Sequence, residues 1–108
     1  MKTLIVEDDV PLRAFLQDCL EGMGHRVTAR GDKTSALRAA RTEKFDLLLC
    51  DYHLPDGEAL PLIEYFGATH PNSRVILLTG SGVFPRGEVS VLAPAVDWTL
   101  RKPVELQD

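Results

Sequence analysis

No stretch of the sequence approaches the roughly 20 consecutive apolar residues that a membrane-spanning helix requires. The apolar opening, Met1 to Val6, is too short for a secretion signal and runs at once into acids. Cysteine is scarce. The two present, Cys19 and Cys50, supply neither a disulfide framework nor a thiolate zinc site, and in a cytosolic chain they read as reduced core residues. Basic excess is also missing. A net charge of -4 argues against a nucleic-acid surface on this domain. No repeat, low-complexity tract or linker divides the 108 residues. The expectation is therefore one soluble cytoplasmic domain over residues 1–108, long enough to bury a core without staples.

What the sequence does contain is alternation. Short apolar runs lie at Thr3–Val6, Arg26–Ala29, Leu47–Cys50 and Val75–Leu78, with a fifth candidate at Val96–Leu100. Runs of this length suit strands buried on both faces. Between the first two, Leu12, Phe15, Leu16, Cys19, Leu20 and Met23 recur at helical steps, with Asp9 as N-cap, Pro11 in the first turn and Gly24 at the stop. A second helix is predicted from Lys33 to Glu43 behind Asp32, burying Ala36, Leu37 and Ala40. A third runs from Glu58 to Gly67, with Leu60, Ile63 and Phe66 inward and Pro61 near its first turn. Gly82, Pro85, Gly87 and Pro94 leave room for only a short helix, about Glu88–Ala93. Strands alternating with helices predict an α/β domain with a parallel sheet and right-handed crossovers.

In such sheets ligands bind at the carboxyl ends of the strands. Glu7, Asp8 and Asp9 follow the first run, Asp51 the third, Thr79 the fourth and Lys102 the fifth. Each has an ordinary role when taken alone: acids cap helices, and Asp9 is assigned to that role; Thr79 is a turn hydroxyl; Lys102 is a solvated charge. Together they have a chemical logic. Clustered carboxylates repel unless a cation or proton intervenes, and Mg2+ prefers oxygen ligands while keeping several waters. A carboxylate beside such an ion can attack phosphorus, while a hydroxyl and an ammonium neutralise the equatorial oxygens.

These residues resemble the receiver domain of two-component response regulators over essentially the whole chain. The resemblance rests on Leu4-Ile5-Val6-Glu7-Asp8-Asp9 with Arg13 following, on Asp46 to Gly57, on Leu77-Leu78-Thr79-Gly80 and on Lys102-Pro103. It implies a doubly wound, flavodoxin-like sheet of five parallel strands in the order 2-1-3-4-5. It also implies that Asp51 is phosphorylated by a histidine kinase or a histidine phosphotransfer protein. Asp8, Asp51 and the backbone carbonyl of His53 then bind Mg2+, Glu7 acts through metal-bound water, and Thr79 and Lys102 hold the phosphoryl oxygens. Gly80 keeps the approach to Asp51 clear, and the Lys102–Pro103 peptide is cis. The face built from the fourth helix, the fifth strand and the fifth helix reports the change to a partner, which is an output domain, a downstream protein or a second copy of the chain.

The sequence departs from that family's pattern in three places. The aromatic of the fifth strand usually stands three residues before the lysine; here that position is Thr99, and the aromatic is Trp98. Either a bulge lets Trp98 serve or the switch lacks an aromatic gate, and the second is expected. Residues 80–94 are rich in glycine and proline where relatives carry a fuller helix, so a short or mobile segment is expected. The chain stops at Asp108, where a fifth helix should begin, so that helix is expected to be missing or truncated, or its place taken by a partner chain. His53 and Ser81 fall at positions that tune phosphoryl lifetime in relatives, although His53 also reads as simply exposed. Arg26, Arg30, Lys33, Arg38, Arg41 and Lys44 read as a solvated basic face, with docking of a kinase as the second reading. Two competing functions stand beside the switch. One is a degenerate receiver that only binds partners. The other is a small phosphohydrolase using Asp51, for which His53 stands where a second acid belongs.

Overall fold

The computed structural model describes residues 1–79 and 97, together with the backbone of 98–101. Five strands form one parallel sheet: β1 (Lys2–Val6), β2 (Arg26–Arg30), β3 (Leu47–Asp51), β6 (Arg74–Thr79) and β7 (Trp98–Arg101). A two-residue antiparallel pair, β4 (His53–Leu54) and β5 (Gly57–Glu58), interrupts the crossover after β3. The helices are α1 (Val10–Gly22), α2 (Lys33–Thr42) and α3 (Leu60–Thr69). The sheet order is β2-β1-β3-β6-β7, which is the 2-1-3-4-5 winding expected from the sequence.

The core lies on both faces of the central strands, as continuous apolar runs require. Leu4, Ile5, Val6, Leu48, Leu77 and Leu78 are fully buried. One face packs against α2 and α3 through Ala36, Ala39, Ala40, Leu62, Ile63 and Phe66. The other carries Ile5, Leu49 and Leu78 against Leu16 of α1. Burying a Leu, Ile or Phe completely contributes roughly 1.5–3 kcal/mol, so the α2–α3 face holds most of the described packing energy.

Local signals set the helix ends. Asp9 accepts from Leu12 N at 3.1 Å and starts α1. Gly24 ends it at φ +93, with Gly24 N and His25 N donating to Glu21 O and Leu20 O. A left-handed residue with these two return bonds satisfies carbonyls that the helix leaves unpaired. Asp32 caps α2 as predicted.

The α1 face is narrower than its periodicity suggested: Leu16 is buried, whereas Met23 is largely exposed and Phe15 is 39% exposed. α3 starts two residues later than Glu58, because residues 53–58 are spent on the β4–β5 hairpin. Its inward residues are Leu62, Ile63 and Phe66, with Leu60 only partly covered. At the sheet edge, Asp97 ties β7 to β6. Its N–H donates to Val75 O, its Oδ2 accepts from Val75 N at 2.7 Å, and its Oδ1 pairs with Arg74 at 3.5 Å.

The β6–β7 ladder runs without interruption from Ile76↔Trp98 to Thr79↔Arg101. It contains no bulge over those residues, in agreement with the expectation. The glycine- and proline-rich segment 80–94, Lys102, the Lys102–Pro103 peptide and the expected loss of a fifth helix lie outside the described residues.

Candidate functional site

Register explains how distant acids meet. Val6 of β1 lies opposite Cys50 of β3, and Asp51 lies opposite Leu78 of β6. One step further along, Glu7 and Asp8 leave β1 beside Asp51, and Thr79 closes β6 next to it. Carboxylate oxygens of Glu7, Asp8 and Asp51 fall within 4.8 Å of one another. Asp8 is exposed, whereas Glu7, Asp51 and Thr79 are buried. The cluster is thus open to solvent on one side and walled by the sheet on the other.

Glu7 is held at several atoms. Its Oε2 accepts from Asp9 N at 3.0 Å, its carbonyl accepts from Arg13 Nη1 at 3.0 Å, and its N–H donates to Arg30 O. Arg13 crosses above Gly31, where a Cβ would stand 2.7 Å from Nη1. The guanidinium therefore brings positive charge to the edge of an acidic cluster, passing close over Gly31. Cys50 reports the same field. Burial first, then the charges of Asp51 and Glu7, push its thiol far above the ordinary value, so it stays protonated with Sγ 3.2 Å from Asp51 O.

Beyond Asp51 the chain turns tightly. Tyr52 N donates to Leu78 O, and Ala59 N donates to Tyr52 O. The Tyr52 hydroxyl donates to Glu58 Oε2 at 2.8 Å, a bond to the neutral phenol that raises its pKa. His53 is exposed, with its ring edge-on to Tyr52 at 4.8 Å.

Of the residues singled out from sequence, Glu7, Asp8 and Asp51 are brought into one cluster, and Thr79 ends the strand beside it. Lys102 follows β7 in sequence but lies outside the described residues. The structural ties of Arg13 and Asp56 escaped the sequence reading, because both depend on tertiary neighbours. A Pro-Asp-Gly turn is the one local hint of the second.

Three carboxylates this close repel one another, and a cation among them would relieve that repulsion. Their hard oxygen donors match Mg2+ or Ca2+ rather than a thiophilic metal.

Comparison with known proteins agrees with this geometry. The model of the response regulator receiver domain matches residues 3–108. Response regulator protein PilR of Pseudomonas aeruginosa is 34% identical over 105 residues, covering 97% of this chain but only 23% of PilR. Response regulator receiver protein CpdR of Brucella abortus is 31% identical over 107 residues, covering 99% of this chain and 88% of CpdR. A crystal structure of a response regulator from Burkholderia pseudomallei, with a phosphorylated aspartic acid, calcium ion and citrate, superposes with a TM-score of 0.85. It is 27% identical, over 98% of this chain and 62% of that one. Sheet order, acidic cluster and sequence likeness converge: this chain belongs to the response regulator receiver domain family.

Proposed function

We propose that the chain is a phosphoacceptor switch in which Asp51 receives a phosphoryl group in an Mg2+-dependent reaction. The observation that carries this reading is the placement of Asp51 at a strand end, with carboxylate oxygens of Glu7 and Asp8 inside 4.8 Å. The phosphorylated aspartic acid and calcium ion in the Burkholderia structure support it. Asp8, Asp51 and the His53 carbonyl would hold the ion directly, and Glu7 through water. When bound, the ion neutralises charge on the cluster and on the incoming phosphoryl oxygens.

An Asp51 carboxylate oxygen attacks phosphorus. The new oxygen–phosphorus bond forms as the bond to the donor's leaving atom breaks, and that atom keeps the electron pair. With a phosphohistidine donor the leaving nitrogen returns to the imidazole. The donor is accordingly a histidine kinase or a histidine phosphotransfer protein in the cytoplasm. Thr79 and Lys102 take the phosphoryl oxygens, and the added charge shifts the domain between two states that a partner distinguishes.

Incubation with acetyl phosphate and Mg2+, followed by intact mass measurement, tests this. The expected result is a gain of one phosphoryl group that is absent in Asp51→Asn and absent with chelator. No gain, or a gain that survives in Asp51→Asn, overturns the proposal.

A further inference from the structure

The N-terminus of α2 is capped by two acids, one local and one from a distant turn. Its own N-cap, Asp32, accepts from Ser35 N at 2.7 Å and from Ser35 Oγ at 2.8 Å. That is the ordinary way to satisfy a helix start. A second carboxylate arrives from the β4–β5 turn. Asp56 Oδ1 accepts from Lys33 N at 2.8 Å, while Oδ2 accepts from Thr34 N at 2.9 Å and from Thr34 Oγ1 at 2.7 Å. The two acids repel, and the charge of Asp56 works against ionisation of Asp32. Asp56 satisfies two helix-start amides that Asp32 leaves unpaired, and the same bonds join the turn to the helix.

Residues 52–58 leave directly from Asp51. The base of the hairpin is secured by buried Leu54 and by the Tyr52–Glu58 hydrogen bond, whereas Pro55 and Asp56 at its tip are exposed. The three bonds of Asp56 join that tip to α2. Gly57 sits at φ +130, and its Cα is bare where Lys33 Nζ passes, 2.7 Å from where a Cβ would stand. Lys33 therefore lies across the turn that Asp56 anchors.

We propose that Asp56 is a positioning residue for the phosphoryl site. It pins the loop leaving Asp51 to the start of α2, and so holds the His53 backbone carbonyl where it serves as a ligand to the divalent cation. The idea rests on the phosphoacceptor reading above. Outer groups that orient metal ligands commonly change affinity by 10- to 100-fold when removed.

Calorimetric titration with Mg2+ alone, on the full chain, reads the effect without relying on phosphorylation. Asp56→Ala should weaken Mg2+ binding by roughly tenfold. Asp32→Ala, which removes the other cap from the same helix end, should lower thermal stability yet leave Mg2+ affinity within about twofold of wild type. Thr34→Val removes one of the three bonds and should weaken Mg2+ by roughly threefold; it decides the matter if Asp56→Ala does not fold.

Unchanged affinity in Asp56→Ala, or in Thr34→Val where that variant must decide, overturns the positioning role, as does an equal loss in Asp32→Ala. Wild-type protein that neither binds Mg2+ nor accepts a phosphoryl group sinks the phosphoacceptor reading and this inference with it. Wild-type protein that does both while the variants match it sinks the positioning role alone.

Discussion

Cys50 and Cys19 show how neighbours decide what one side chain does. Both read as reduced core thiols from sequence, yet Cys50 is buried and Cys19 only partly so. Cys50 also stands between two acids whose charge disfavours a thiolate, and the thiolate is the reactive form. Native protein treated with a thiol reagent should therefore label Cys19 first, and Cys50 only after denaturant is added. Equal labelling rates in the native state would show that the third strand is more open than the packing implies. Asp56 makes the opposite point. Its bonds to α2 hold its carboxyl down to about 2, from an ordinary 3.8, although nothing in its local sequence demands it.

The lowered carboxyls give α2 a pH signature at the scale of the element. Asp56 and Asp32 are both depressed in the folded chain. Each therefore contributes stability that is present above the ordinary 3.8 and is lost as pH falls below it, for Asp56 through about 2. Both acids are exposed enough for solvent to screen them, so the slope is shallow. Urea midpoints measured at about pH 5 and about pH 3 should fall further for wild type than for Asp56→Asn; parallel losses would mean that the tie carries no net stabilisation.

The third helix illustrates how much element boundaries depend on context. Its apolar residues and Pro61 were legible in the sequence. Its start was not, because Ala59 provides no side-chain cap and the preceding hairpin consumes residues that read equally well as a first turn.

For the molecule as a whole, the crowded acids set stability against function. Three carboxylate oxygens within 4.8 Å repel one another, and under the proposed function a divalent cation bound to the folded chain would offset that repulsion. Saturating Mg2+, at about 100 times its dissociation constant, should stabilise the fold by about 2.7 kcal/mol. Asp8→Asn should raise the melting temperature of the metal-free protein and abolish most of the gain from Mg2+. Differential scanning calorimetry with Mg2+ and with chelator checks both effects, and a cation-independent melting temperature in wild type would contradict the cluster's proposed role.

Order along the chain was enough to read the alternation, the caps at Asp9 and Asp32 and the stop at Gly24, because each depends on neighbours within a few residues, and the alternation in turn implied a parallel sheet. It was also enough to place acids, a hydroxyl and a lysine after apolar runs, since a buried strand must end where polarity begins. That Glu7, Asp8 and Asp51 meet was expected from their strand-end positions; the tertiary structure supplied the register across β1, β3 and β6 and the spacing within 4.8 Å, which are long-range hydrogen-bonding choices. Tertiary structure alone decided that Arg13 reaches Glu7 over Gly31, and that Asp56 caps a helix that begins 23 residues before it. Such contacts pay chain-closure entropy over distances that no local propensity records.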